Sequence, residues 1–202
     1  MTPEDLSGSD YQLLGELTHA TLADFVIEYF LHRNSWLTWT HHALSFATLC
    51  AAVITAVLQD RGVPRTAGDF ALSIAALFVV ILPLHEALHA AAYRICGARD
   101  IRWDYSLRML AVWVIAHRFV AGTRTFVFVA LAPFVVLNSL LIAGAILFPA
   151  HAVLLLFLLL VHLHGCSGDW SLLNFVWLHR ERGFWTFDDA VTGKSYFFGR
   201  AG

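Results

Sequence analysis

Apolar residues fall into four long runs, at about residues 36–58, 70–93, 126–148 and 152–178. A helix that crosses a bilayer needs about 20 mostly apolar residues, because the hydrocarbon core is about 30 Å thick and each helical residue rises about 1.5 Å. All four runs meet that length. Polar turn material at residues 59–65 separates the first two, and only Pro149-Ala150-His151 divides the last two, which predicts a tight hairpin. Gly165, Ser167 and Gly168 interrupt the fourth run near its end.

The stretch from residue 98 to 121 breaks the helical pattern. It carries six charges (Arg99, Asp100, Arg102, Asp104, Arg108 and Arg118). Residues 101–105 alternate apolar with polar, and residues 110–115 are a β-favouring run, so a short strand pair is expected there. Residues 13–31 read as an amphipathic helix, either lying on the inner membrane surface or simply soluble. The fold class predicted is an all-α polytopic membrane protein, with about four transmembrane helices and a short β-like insertion between helices two and three. Its parts are an N-terminal arm (1–35), a transmembrane core (36–178) and a C-terminal tail (179–202). The tail is expected to be solvated, with partner docking or gating as the lesser alternative.

Charge placement orients the helices. Of 13 basic residues, only Arg61 and Arg65 lie between runs one and two, and none lies between three and four. The other eleven flank the opposite helix ends, which places both termini in the cytoplasm by the positive-inside rule. Composition agrees: 58% of residues are hydrophobic, 14% are charged, and the mean hydropathy is +0.66. Soluble chains carry about 25% charged residues. A disordered chain, a nucleic-acid binder and an ordinary cytosolic enzyme are excluded. The first 30 residues lack a basic segment followed by an apolar run, so no cleavable signal peptide is expected. Cys50, Cys96 and Cys166 are widely spaced and read as buried thiols, not a disulfide framework.

Charges inside a span are costly and commonly functional. Within residues 70–93 the single acidic residue is Glu86, and between Tyr105 and Arg180 it is Asp169. Glu86 stands in His85-Glu86-Ala87-Leu88-His89, where histidines four apart share one helix face and can bind one metal ion. The glutamate beside them can accept a proton from water at that ion. Zinc catalysis needs three protein donors and one open position. Asp169, in Gly165-Cys166-Ser167-Gly168-Asp169, is the leading third donor, because helical rise puts it about 25 Å into its span and the histidines about 22–29 Å into theirs. The plainer alternatives are a structural Glu86–histidine pair and a helix-capping Asp169. His162 and His164 are alternative ligands or hydrogen-bond partners of the ligands, and Asn138 is either a substrate contact or an interhelical bond. Pro83 is expected to kink helix two above the site. His41, His42 and His151 read as interfacial.

This set of residues resembles the intramembrane zinc metalloproteases of the site-2 protease type, and more closely the small zincin peptidases of bacteria and archaea related to them. The features are His85-Glu86-x-x-His89 in a second span, the arginine-bearing β-like insertion, Ala132-Pro133 with Asn138, and a final span with Ser167-Gly168-Asp169. The resemblance covers about residues 70–180. It implies one zinc ion per chain held by His85, His89 and Asp169, with Glu86 as base, in the inner membrane of a prokaryote. It also implies a membrane-protein or peptide substrate cleaved in or near its transmembrane segment, with no nucleic-acid partner. The chain departs from the larger family in its Gly168-Asp169-Trp170 sequence and has no room for a regulatory PDZ domain. A membrane metal-binding or transport protein using the same three residues is the competing expectation, and an inert scaffold is a third.

Overall fold

The computed structural model describes every residue except Ser9, His19 and residues 107–110. Helix α2 (Trp36–Leu58) opens on Ser35, whose hydroxyl accepts from the Leu37 amide. Helix α3 (Val63–Ala76) then begins earlier than the apolar run suggests. Pro64 sits in its first turn, where the missing N–H costs nothing. It continues through a π-helical turn (Leu77–Ile81) into α4 (Leu82–Ile95), a 33-residue rod. In that turn the Leu82 amide reaches back five residues to the Leu77 carbonyl, immediately before Pro83, whose ring cannot serve the regular ladder.

Helix α5 (Thr123–Leu147) and helix α6 (Ala152–Gly165) follow, and α6 breaks into α7 (Ser167–Leu178) with a bend of 47°. The glycines flanking the break were the sequence signal for it. Helix α6 is central, packed against α2, α3 and α5, which explains why it is apolar on all sides before its last turn. Ile81, Leu137, Leu141, Leu158, Leu159 and Leu163 form the core of this bundle. Among the described residues, α2, the α3–α4 rod and α5 are long and apolar enough to cross a membrane, and the bent α6–α7 pair makes a fourth if it counts as one span. Large apolar side chains such as Phe46, Val57 and Val79 point outward.

The two predicted hairpin loops meet at one end. Gln59 donates to the Pro149 carbonyl (2.9 Å), and Arg61 pairs with Asp69 (2.5 Å) and the Ala150 carbonyl. The other end is β structure. Strands β2 (Ile101–Ser106) and β3 (Ala111–Ala116) pair antiparallel, from Ile101 opposite Ala116 to Ser106 opposite Ala111. This is the expected strand pair, although Arg108 and position 110 of the predicted run lie outside the described residues.

A second sheet was not expected. Strands β1 (Tyr11–Thr18), β6 (Lys194–Arg200), β5 (Trp185–Asp189) and β4 (Ala121–Gly122) form it in the order β1-β6-β5-β4. The molecule is mostly helical, not all-α. Residues 11–18 are a strand where an amphipathic helix was expected, and the helix α1 begins only at Leu22, continuing as a π-helical turn to His32. The tail is folded and not solvated. The cause is a partner at great sequence distance: Tyr11 pairs with Arg200 and Thr18 with Lys194. Leu17, Phe184 and Phe197 turn into a core with Phe126, Leu173 and Phe175 at the ends of α5 and α7.

Candidate metal centre

His85 and His89 are buried one turn apart on α4, and Asp169 lies in the first turn of α7, just past the break. The three meet. His85 Nε2 is 3.1 Å from His89 Nε2 and 3.1 Å from Asp169 Oδ2, and His89 Nε2 is 3.4 Å from Asp169 Oδ1. These atoms form a group able to hold a metal ion.

The hydrogen bonds behind the rings decide where the protons sit. His89 Nδ1–H donates to the Val129 carbonyl (3.0 Å). That carbonyl is available because its partner in the α5 ladder would be residue 133, a proline without an N–H. His162 Nδ1–H donates to Asn138 Oδ1 (2.7 Å), which leaves His162 Nε2 as an acceptor. His85 Nδ1–H donates to it (3.1 Å). Both ligand histidines therefore carry their proton on Nδ1 and present a bare Nε2 lone pair. Two lone pairs and a carboxylate facing one another at about 3 Å repel unless a cation lies between them. The nitrogen and oxygen donors suit zinc. The residues present fit the ion.

Glu86 is also buried, and its Oε2 accepts from the Val114 amide of β3 (2.9 Å). Strand β3 thus packs along α4 with an outward-facing N–H on the carboxylate. A cavity of about 340 Å³ opens beside these groups, lined by Glu86, His89, Asp169, Val112, Asp188 and Ser195 among others. Its far wall is the β5–β6 hairpin. Burial there pushes the Asp188 carboxyl up to about 6, against a Ser195 hydrogen bond that favours the charged form.

The other expected residues divide. Asn138 and His162 are buried and join the network through His85. His164 is not at the centre. Two residues beyond His162 it points off the opposite helix face, exposed, with Nδ1 on the Leu160 carbonyl (2.8 Å). His41 is buried, not interfacial: its Nε2 donates to the Leu163 carbonyl (2.9 Å) beside the helix break, and its ring packs on Trp170. The exposed His151 sits in the hairpin. Sequence reasoning missed the Val114 amide, the Val129 carbonyl and Asp188. Pro133 was a usable signal for the second, since a mid-helix proline frees the carbonyl four residues earlier. The first and third depend on strand placement and had no local signal.

Residues 78–182 match the family described as "Putative zincin peptidase". No curated protein and no solved structure matches the chain.

Proposed function

The chain belongs to the zincin peptidase family matched by residues 78–182, and on that premise we propose that it is a four-span membrane zinc peptidase with both termini in the cytoplasm. Its substrate is a peptide bond in or near a transmembrane segment of another protein. The observation that carries this reading is the convergence of the His85 and His89 Nε2 atoms with the Asp169 carboxylate, with Glu86 alongside on the same helix. His85, His89 and Asp169 would hold one zinc ion. The chemistry a bound zinc supplies is that of a Lewis acid, which acidifies water and polarises a carbonyl.

Glu86 is the general base. The Val114 amide holds Oε2, and we assign Oε1 to the proton taken from the attacking water. The water oxygen bonds to the scissile carbonyl carbon. As the C–N bond breaks, Glu86 returns the proton to the leaving nitrogen, giving a carboxylic acid and an amine. Val112 and Val114 of β3 both line the cavity, and the Val114 N–H turns to Glu86. An unwound substrate segment could pair with β3 as an added strand.

Purified protein should bind about one zinc, and His85→Ala, His89→Ala and Asp169→Ala should each lower that content. Glu86→Gln should keep zinc and lose peptidase activity by about 10²-fold or more. Full activity in Glu86→Gln sinks the mechanism. Zinc transport into proteoliposomes that survives Glu86→Gln would favour a carrier instead.

A further inference from the structure

His85 has two faces, and the second also meets metal-binding atoms. Its Nδ1 is 3.1 Å from His162 Nε2 and 4.0 Å from Cys166 Sγ, while Cys166 Sγ and His162 Nε2 are 3.5 Å apart. All three side chains are buried, with Cys166 fully so. These separations match a face of a tetrahedral site with two nitrogens and one sulfur, in which metal–nitrogen and metal–sulfur bonds of about 2.0–2.3 Å span such gaps. His162 is already oriented for it: Asn138 holds its Nδ1 proton, so Nε2 is the free donor. Cys166 stands four residues after His162, at the α6–α7 break, on the same side. The cavity that reaches Asp169 is also lined by His85, His162 and Gly165, giving a cation a way in.

The geometry points to a second, inhibitory metal site formed by Cys166, His162 and His85 Nδ1, selective for thiophilic cations such as cadmium or copper(I). In the resting protein this place is filled by hydrogen bonds, with His85 N–H on His162. A soft cation replaces those protons. The thiol proton leaves to solvent as the metal–sulfur bond forms. The imidazole proton of His85 leaves Nδ1, and a proton is taken up on Nε2, where it donates to Asp169 at 3.1 Å. His85 then has no lone pair for the first site. The two sites thus compete for one ring, and a soft metal in the second empties the first of a ligand. The inhibitory effect rests on the peptidase reading above, whereas cadmium binding at Cys166 does not.

The test uses full-length protein in detergent, loaded with one zinc and titrated with cadmium chloride. The readouts are the cadmium–thiolate charge-transfer absorption, metal content, and peptidase rate with and without cadmium within each variant. The expected result is one cadmium per chain with a thiolate band that survives serine at both Cys50 and Cys96 and disappears in Cys166→Ser and Cys166→Ala. Zinc affinity should fall about tenfold or more at saturating cadmium, and the peptidase rate with it. Asp169→Asn should keep the band. The proposal is overturned if wild type shows no thiolate band, if the band persists in Cys166→Ser, or if zinc affinity is unmoved when the band is saturated. A band present in protein that never shows peptidase activity would sink the peptidase reading and leave the metal site standing.

Discussion

Each histidine at the centre is defined as much by what lies behind it as by what it faces. His162 stands behind His85, bonded to it and to Asn138, and so fixes the His85 tautomer. Replacing it with leucine should weaken zinc binding about 10–100-fold, the usual loss when a ligand histidine's partner is removed. His162→Gln retains an acceptor for His85 Nδ1–H and should stay within a few-fold of wild type, measured by competition with a chelator. Equal losses in both variants would mean that His162 acts by packing alone. Asp188 gives a prediction of a different kind. Its carboxyl is raised to about 6 by burial, above the ~3.9 of an unfolded aspartate. The stability it contributes is therefore complete below about pH 4 and lost as pH rises through 6. Asp188→Asn should be close to neutral at pH 4 and stabilising by about 1–2 kcal/mol at pH 8, read as a pH-dependent difference in melting temperature.

At the level of elements, helix breaks do the positioning. Two prolines and one glycine-flanked break shape the centre: Pro83 follows the π-helical turn, Pro133 frees the Val129 carbonyl, and the α6–α7 bend turns Asp169 toward α4. Pro133→Ala offers the Val129 carbonyl an amide again, in competition with His89 Nδ1–H. The helix should gain stability while zinc affinity drops about tenfold, so the two readouts move in opposite directions. A variant whose affinity follows its stability would refute this role for the proline. The irregularity at Pro83 and the α6–α7 break were legible in the sequence because proline and glycine act locally, whereas the role of Pro133 was not drawn from it. Also legible were the four apolar runs, the 101–105 strand and the candidacy of Glu86 and Asp169, since a lone carboxylate in an apolar run stands out without any knowledge of packing. The start of α3 at Val63 was missed, because Pro64 was taken as loop when it serves a helix's first turn.

For the whole molecule, the sequence was silent where contacts join its two ends. Residues 11–18 and 194–200 are individually unremarkable, and neither gives a strand signal strong enough to find a partner so far away. Their pairing closes the cavity: the hairpin that carries Asp188 and Ser195 is held in place by β1 on its far side and by Phe184 and Phe197 beneath. Phe197→Ala should cost about 3–5 kcal/mol and loosen the sheet before the helices. Hydrogen exchange should then rise first in β5 and β6, with α2 and α6 still protected; uniform exchange would show the two parts to be one cooperative unit.

The β1–β6 pairing also sets an order of events in biogenesis. Strand β1 emerges early from the ribosome and has no partner until β6, a later product, has followed α2 to α7. Until then, the chamber around His85, His89 and Asp169 lacks its far wall. Because joining such distant segments is slow, completion of the chamber trails formation of the helices. A half-made chain already holding its histidines and aspartate would still be without the enclosure in which to use them.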